Sequence, residues 1–247
     1  MIQSNSPLAV VTGVSGRVGF ALAERCAANG FDLLIVSGDG GAIAAAERLR
    51  DHGIGVDPVQ VELDTADGAD ELCDIVRVLG RPIDALVISA GRVPAATFLS
   101  QDFEPLAEAL DSSVVGPLRL THRIGRTMRD RGQGRILIAG AAPPNGAGGR
   151  AVVCGANAFL AGFALSLREE LAQSGVSVTC LMPQARRAIT DESLGRIQAA
   201  VDAKLGFEAM MRGDLGLTPA TAAAIAQAAG CGVEATRPLD AATGTLT

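Results

Sequence analysis

The sequence predicts an α/β protein built on a single Rossmann-like, doubly wound parallel sheet with helices on both faces. Three observations predict it: short runs that are continuously apolar, longer amphipathic segments between these runs, and a glycine-rich turn directly after the first run. Strands that are buried on both faces lose the alternation of apolar and polar residues seen in half-exposed strands. Such strands alternating with helices therefore indicate a parallel sheet covered by helices.

Six apolar runs are expected to form the strands, and the segments between them are expected to be helical. The two longest predicted helices cover residues 102–129 and 151–173. After Pro183 the rhythm changes, so residues 186–213 are expected to form a helical lid, inserted after the sixth strand and covering the ligand crevice. Residues 231–247 are mostly small and polar, which predicts a loosely held tail. The predicted strands are 8–11, 32–36, 59–63, 85–88, 135–138 and 176–182.

Length and composition predict one domain over residues 1–247. With 48% hydrophobic and 19% charged residues, the chain is able to bury a large core without a disulfide or a metal. A net charge of -6 argues against a nucleic-acid partner. No apolar run approaches the roughly 18 residues of a membrane span, so no membrane partner is expected. The five cysteines are scattered without metal-ligand spacing, which predicts no metal site and a reducing cytoplasm.

The turn from Thr12 to Gly19 carries the signal for nucleotide binding. Its glycines at positions 13, 16 and 19 allow a backbone to approach a pyrophosphate, and the helix that follows presents free N–H groups to the anion. The alternative is a tight packing turn without a ligand. Arg17 either reaches a phosphate or fills the space that the pyrophosphate needs. Ser37 ends the second strand. An acid at this place favours NAD and an arginine favours NADP, whereas a serine favours neither cofactor.

The order of these pieces resembles the short-chain dehydrogenase/reductase family over almost the whole chain. The resemblance is carried by the glycine turn, by Asp64 after the third strand, by Ser89-Ala90-Gly91 at the end of the fourth, and by residues 158–163 with 181–183. It implies a dinucleotide site at the carboxyl ends of the strands. The cofactor-binding residues it implies are Gly13, Ser15, Gly16, Arg17, Gly19, Ser37, Asp64, Ala90 and Gly91.

The same resemblance implies a catalytic Asn, Ser, Tyr and Lys, and here the sequence departs from the family. The chain contains no Tyr, and its only Lys is Lys204. By position, Ser113 replaces the Asn, Ala141 the Ser, Val153 the Tyr and Asn157 the Lys. Ser113 and Asn157 are still polar and are the candidate catalytic residues. Losing general acid catalysis, which contributes roughly 10²–10⁴-fold, argues against an ordinary reductase.

Three functions stay open at this point. The favoured hypothesis is a repurposed non-redox enzyme, of cyclase or isomerase type, acting on a small and largely apolar metabolite. The second is a catalytically silent subunit that pairs with an active family member. The third is an atypical NAD(P)-dependent oxidoreductase that takes its proton from water or substrate. The cofactor stays open as well: NAD(P) is possible, with its binding weakened or lost. Helices 102–129 and 151–173 are expected to form a homodimer, a homotetramer or a pair with an active subunit.

Overall fold

One six-stranded parallel sheet organises the molecule. The computed structural model describes residues 6–63, 65–89, 96–142, 148–182 and 192–217. The strand order is β3-β2-β1-β4-β5-β6. The first three strands extend the sheet to one side of β1, and the chain then crosses back to place β4, β5 and β6 on the other side. This order confirms the predicted Rossmann-like α/β fold. The strands are β1 (Leu8–Thr12), β2 (Asp32–Ser37), β3 (Val56–Gln60), β4 (Ala85–Ser89), β5 (Gly134–Ala139) and β6 (Val176–Leu181).

Helices cover both faces of this sheet. One apolar layer lies between the sheet and α1, α2 and α7, and the other lies between the sheet and α3, α5 and α6. Strands β1, β2 and β4 are almost completely buried, which explains why their sequences are continuously apolar. The helices are α1 (Arg17–Ala28), α2 (Gly41–Leu49), α3 (Ala66–Leu79), α4 (Phe103–Leu110), α5 (Gly116–Arg131), α6 (Arg150–Glu170) and α7 (Glu192–Arg212).

Strand β3 differs from the prediction by three residues. It spans Val56–Gln60, whereas the apolar run predicted 59–63. The start of the strand was mispredicted because Asp57 and Pro58 are not typical of a buried strand. Both are tolerated because β3 lies at the edge of the sheet, where the missing N–H of Pro58 disrupts no second ladder.

The helix predicted over residues 102–129 is interrupted. Helix α4 ends at Leu110, a π-helical turn covers Asp111–Val115, and α5 then begins at Gly116. A Cβ at Gly116 would lie 2.5 Å from the carbonyl oxygen of Leu63, so glycine allows the helix to approach the chain after β3. Single π-helical turns inside α-helices occur frequently at functional sites.

Helix α7 is the described part of the segment predicted as a lid. Its buried residues pack into the apolar layer next to α1, and the ring of Phe207 meets that of Phe31 edge-on at 6.4 Å between centroids. This part of the segment therefore contributes to the core. Residues 186–191 and the tail 231–247 lie outside the described residues, so the lid and the loose tail stay predictions.

Helix α6 is long and apolar enough, by length and composition, to cross a membrane. The core helix of a globular domain passes the same test, and one face of α6 packs against the sheet. The buried residues on that face include Leu160, Ala161, Ala164 and Leu165. The helix is therefore explained as part of the layer that covers the sheet, and a cytoplasmic location stays a prediction.

Candidate functional site

A cavity of about 370 Å³ lies at the carboxyl ends of the central strands, where the strand order reverses. Ligands of doubly wound sheets bind in this crevice. Its walls are formed by the glycine turn, the ends of β2 and β4, the chain after β3 and the start of α5. The lining residues are Thr12, Gly13, Ser15, Gly16, Ser37, Gly38, Asp39, Val61, Glu62, Leu63, Ile88, Ser89, Ser112, Gly116, Pro117 and Leu120.

The glycine turn is packed so closely that side chains are excluded. Gly13 has a φ of 69°, which L side chains rarely adopt, and a Cβ there would overlap the carbonyl oxygen of Ser89. A Cβ at Gly19 would overlap the carbonyl oxygen of Gly13, so Gly19 brings α1 against the turn. Gly13 and Gly16 line the cavity, whereas Gly19 lies beneath it. The turn therefore keeps bare backbone facing the crevice.

The first turn of α1 is suited to an anion. Its N-cap, Gly16, makes no side-chain capping hydrogen bond, and the first turn contains no acidic residue. The free N–H groups and the positive end of the helix dipole point toward an anion bound there. Arg17 is exposed and is not among the cavity-lining residues, so it does not fill the crevice. Bare backbone, an uncapped helix and an open cavity together fit the pyrophosphate of a dinucleotide.

Asp39 connects the end of β2 to the glycine turn. Its carboxylate accepts a short hydrogen bond from the Ser15 hydroxyl and one of 3.0 Å from the Gly41 amide. These two bonds lower the pKa of the Asp39 carboxyl below its ordinary value. Ser37 is buried, and its hydroxyl donates to the Asp39 carbonyl and accepts from the Ala42 amide. Ser37 therefore stabilises the turn between β2 and α2. The carboxylate that lines the cavity next to this turn is that of Asp39.

Asn157 is bonded to the backbone at the end of β5. Its Oδ1 accepts from the Ala141 amide at 3.1 Å, and its Nδ2 donates to the Ala141 carbonyl at 2.8 Å. A Cβ at Gly140 would overlap Oδ1, so glycine makes this approach possible. Val153, one turn earlier on α6, is buried with 3% exposure. The structure thus brings Ala141 and Asn157 together, with Val153 on the same helix as Asn157.

Ser113 lies in the π-helical turn and is 5% exposed. Its neighbour Ser112, rather than Ser113 itself, lines the cavity. Three of the predicted cofactor residues, Asp64, Ala90 and Gly91, lie outside the described residues.

Sequence reasoning missed the two acidic residues that line the cavity, Asp39 and Glu62. The Glu62 side chain lies against Gly38, since a Cβ built there would lie 3.0 Å from a carboxylate oxygen of Glu62. Asp39 was passed over because it follows the end of β2 by two residues. The signal that identifies both is their position directly after the ends of two neighbouring strands, since those ends share one edge of the sheet.

Comparison with known proteins decides the family. The sequence model of the short chain dehydrogenase family matches residues 7–195. The chain belongs to this family. It is 33% identical to the short-chain reductase protein NovJ of Streptomyces niveus over 186 residues, which cover 73% of this chain and 69% of the relative. It is 28% identical to the 3-oxoacyl-acyl-carrier-protein reductase FabG of Escherichia coli over 208 residues, or 79% of this chain and 82% of the relative.

A solved structure of the family is similar over most of the fold. It is a short-chain dehydrogenase from Sphingobium yanoikuyae in complex with NADPH, with a TM-score of 0.71 and 25% identity. The likeness covers 85% of this chain and 86% of that one.

These relatives correct the favoured hypothesis from the sequence. The interpretation as a repurposed non-redox enzyme of cyclase or isomerase type is wrong, because the relatives are named as reductases and support redox chemistry. The hypothesis gave too much weight to the missing phenol and too little to the crevice at the carboxyl ends of the strands.

Proposed function

We propose that this chain is an atypical NAD(P)-dependent oxidoreductase that reduces a carbonyl group or oxidises the corresponding alcohol. The observation that carries the proposal is the cavity between the glycine turn and the ends of β1, β2 and β4, with its bare backbone and uncapped helix. The named activities of NovJ and FabG favour a keto compound as the substrate class. When bound, the nicotinamide supplies the hydride.

The chain is atypical because two positions that the family resemblance makes catalytic have lost their chemistry. Val153 has no proton to give, and both polar groups of the Asn157 amide are already bonded to Ala141. Carbonyl reduction adds a hydride to carbon and a proton to oxygen. In this chain the proton comes from water or from a hydroxyl of the substrate, so the step lacks the roughly 10²–10⁴-fold contribution of a positioned acid.

The described residues have definite parts in this proposal. Gly13, Gly16 and the first turn of α1 bind the pyrophosphate, and Gly19 holds the helix against the turn. Ser15 and Ser37 position Asp39, and Asn157 fixes the backbone of Ala141 at the end of β5. Ser113, buried in the π-helical turn, is a candidate positioning residue for the substrate side of the crevice. The family resemblance adds Asp64, Ala90 and Gly91, which lie outside the described residues, as proposed cofactor-binding residues.

Exposed aromatic residues support a second copy as partner. Phe103 is 66% exposed on α4 and Phe159 is 47% exposed on α6, and these helices are neighbours in the fold. We propose that α4, α5 and α6 form the interface of a homodimer or homotetramer, because burying such side chains between protomers removes apolar area from water.

The direct test measures hydride transfer together with binding. Purified protein is titrated with NADH and NADPH by calorimetry and then assayed with a panel of ketones and 3-oxoacyl thioesters. We expect one of the two nucleotides to bind and at least one keto compound to be reduced slowly. Gly13→Val is the control, since its side chain would overlap Ser89 and close the turn. Failure of both nucleotides to bind would contradict the proposal.

A second candidate, the silent subunit, is favoured by one observation: Asn157 binds the backbone of Ala141 through both its Oδ1 and its Nδ2. A structural bond at this position suits a protein that keeps its fold and its interface without turnover. Co-purification with an active, tyrosine-bearing family member would support this candidate. A stable homo-oligomer that reduces a ketone by itself would contradict it.

A further inference from the structure

An open groove of about 730 Å³ lies at the edge of the sheet, between β3 and α3, and shares no described lining residue with the crevice. On the helix side, the lining residues recur every three or four positions along α3, so they share one face of that helix. This β3–α3 groove therefore follows α3 for roughly 18 Å. Its described lining residues are Leu34, Asp57, Val59, Asp67, Asp70, Glu71, Asp74, Ile75, Val78 and Leu79.

The floor of the groove is apolar. Leu34 is buried there, whereas Val59, Ile75 and Leu79 are only half-buried. Val78, near the end of α3, is 85% exposed. Single exposed apolar side chains are normal on a protein surface, but Val78 continues a row of apolar side chains that are themselves only partly covered. A partner that covers this row removes apolar area from water, which is favourable.

The rim of the groove is acidic. Five of its ten described lining residues are Asp or Glu, and none of the ten is Lys or Arg. Two of the carboxylates, those of Asp70 and Asp74, pair with arginines of this chain. The other three, those of Asp57, Asp67 and Glu71, form no ion pair with any residue that the structure describes. Negative charge around an apolar floor is the complement of a basic partner with an apolar stripe.

The geometry of the groove favours a helix over an added strand. The Gly55 carbonyl and the Val61 amide bond to β2, so by the alternation of a parallel ladder Pro58 turns its backbone nitrogen away from β2, toward the open edge. Proline has no N–H to donate, and proline at an edge opposes the pairing of a further strand. A straight groove beside α3, about three helical turns long, suits a second helix that packs next to α3.

The charge of the groove also argues against the end of this chain as its occupant. Residues 218–247 contain one Arg, no Lys, one Asp and one Glu. Such a segment has no cationic side chains to place on three unpaired carboxylates. The complementary charge has to come from another molecule.

From these observations we propose that the β3–α3 groove binds a basic amphipathic helix of a partner protein. The apolar stripe of that helix packs on Val78 and on the half-buried floor, and its Lys and Arg side chains face the carboxylates of Asp57, Asp67 and Glu71. The proposal does not depend on the oxidoreductase activity, because the groove and the crevice have separate walls.

The experiment uses a fluorescent synthetic helical peptide, about four turns long, as the probe. Its Leu residues are spaced to form one stripe, and its other positions are Arg and Ala. A peptide of the same composition in scrambled order, without the stripe, is the matched control. Fluorescence anisotropy of the natural protein is expected to show binding of the striped peptide about tenfold or more tighter than of the scrambled one, and weaker binding as salt is added.

Two variants test the floor and the rim separately. Val78→Ser removes the exposed apolar anchor and is expected to weaken binding of the striped peptide about tenfold. Asp67→Asn combined with Glu71→Gln is expected to weaken binding at low salt and to reduce its dependence on salt. Ile43→Ser and Glu47→Gln are the controls, since both exposed residues lie on α2, on the opposite face of the sheet. Thermal unfolding checks that each variant is folded.

The outcomes either support or overturn the proposal. Equal binding of the striped and scrambled peptides overturns it, because charge alone then explains the affinity. No binding of the striped peptide, or unchanged binding in folded Val78→Ser, also overturns it. If light scattering shows that Val78→Ser lowers the mass of the protein, the groove is covered by a second copy of this chain, and the proposal of a separate partner is wrong.

Discussion

At the scale of single residues, close packing of the glycine turn and a few side-chain hydrogen bonds shape the site. Gly13 and Gly19 keep the turn close to β4 and α1, and this packing follows from the glycine spacing in the sequence. The bond between Asn157 and Ala141 was not predictable, because it depends on where β5 ends relative to α6. Asp39 was visible in the sequence, yet the position of its carboxylate depends on the Ser15 hydroxyl, which only the fold brings to it.

The amide of Asn157 is predicted to stabilise the end of β5. Asn157→Ala leaves the Ala141 amide and carbonyl without their protein partner, which costs about 1–3 kcal/mol in the free energy of unfolding. Denaturant unfolding measures this difference. Asn29→Ala is the matched control, since it removes one exposed hydrogen bond to Arg25 and should cost below about 0.5 kcal/mol. Equal losses in the two variants would contradict this assignment.

Restoring the missing side chains is predicted not to restore a strong reductase. Val153→Tyr with Asn157→Lys supplies a phenol and an ammonium, but the chain still has Ala141 and Ser113 where the family resemblance implies a serine and an asparagine. The Lys also breaks the two bonds to Ala141. Turnover of a generic ketone by the double variant should stay near that of the natural chain. Robust turnover by the variant would show that the phenol and ammonium alone were missing.

Buried thiols are predicted to make stability fall at high pH. Burial raises the pKa of Cys26 and Cys180 to about 12 from the ordinary 9.0. The unfolded chain therefore loses these protons first, so the free energy of unfolding decreases as pH rises from about 9 toward 12. Each thiol contributes at most about 1.4 kcal/mol per pH unit. Cys26→Ala should reduce the slope, and substitution of the exposed Cys154 by Ala should not.

At the scale of elements, the sequence predicted the positions of the strands better than it predicted the interruption of the long helix. Five strands lie within about one residue of their apolar runs, because burial on both faces leaves a continuous pattern. Strand β3 shifted, since Asp57 and Pro58 interrupt the pattern at the open edge of the sheet. The π-helical turn at Asp111–Val115 was not predictable from the pattern of apolar residues. One additional residue in a single turn leaves the segment as apolar as an uninterrupted helix.

Arg168 is predicted to connect α6 to the chain after α7. It is 6% exposed, and its guanidinium donates to the carbonyls of Val178 and Gly213. Arg168→Met would leave both carbonyls without this donor and should cost about 2–3 kcal/mol. Hydrogen exchange of the Cys180 amide, which bonds to the Leu215 carbonyl, should accelerate. Arg123→Met, which breaks an exposed ion pair with Asp70, is the control and should cost below about 1 kcal/mol.

At the scale of the whole molecule, the fold was predictable and the chemistry was not. Strand order and layers follow from the alternation of buried strands and helices. The favoured non-redox function was wrong because the absence of a tyrosine describes one step of a reaction and does not describe the ligand that the crevice accepts. The cavity at the strand ends and the named relatives are the stronger guide to function.

The proposed assembly predicts a specific sensitivity to charge. Phe159→Glu and Phe103→Glu place carboxylates on the exposed face of α6 and α4, and both should shift the protein toward monomer. Leu205→Glu, at an equally exposed apolar position on α7, is the control and should leave the mass unchanged. Light scattering after size exclusion measures the mass. A natural protein that is already monomeric would contradict the interface.

Transfer of hydride by this chain tests the proposed oxidoreductase activity most directly. NADH carrying deuterium at the transferring carbon is incubated with the purified protein and a keto compound, and mass spectrometry locates the label. We expect deuterium on the new carbinol carbon, at a slow rate that Gly13→Val abolishes. Label that never reaches a product, from NADH or from NADPH, would contradict the proposed activity.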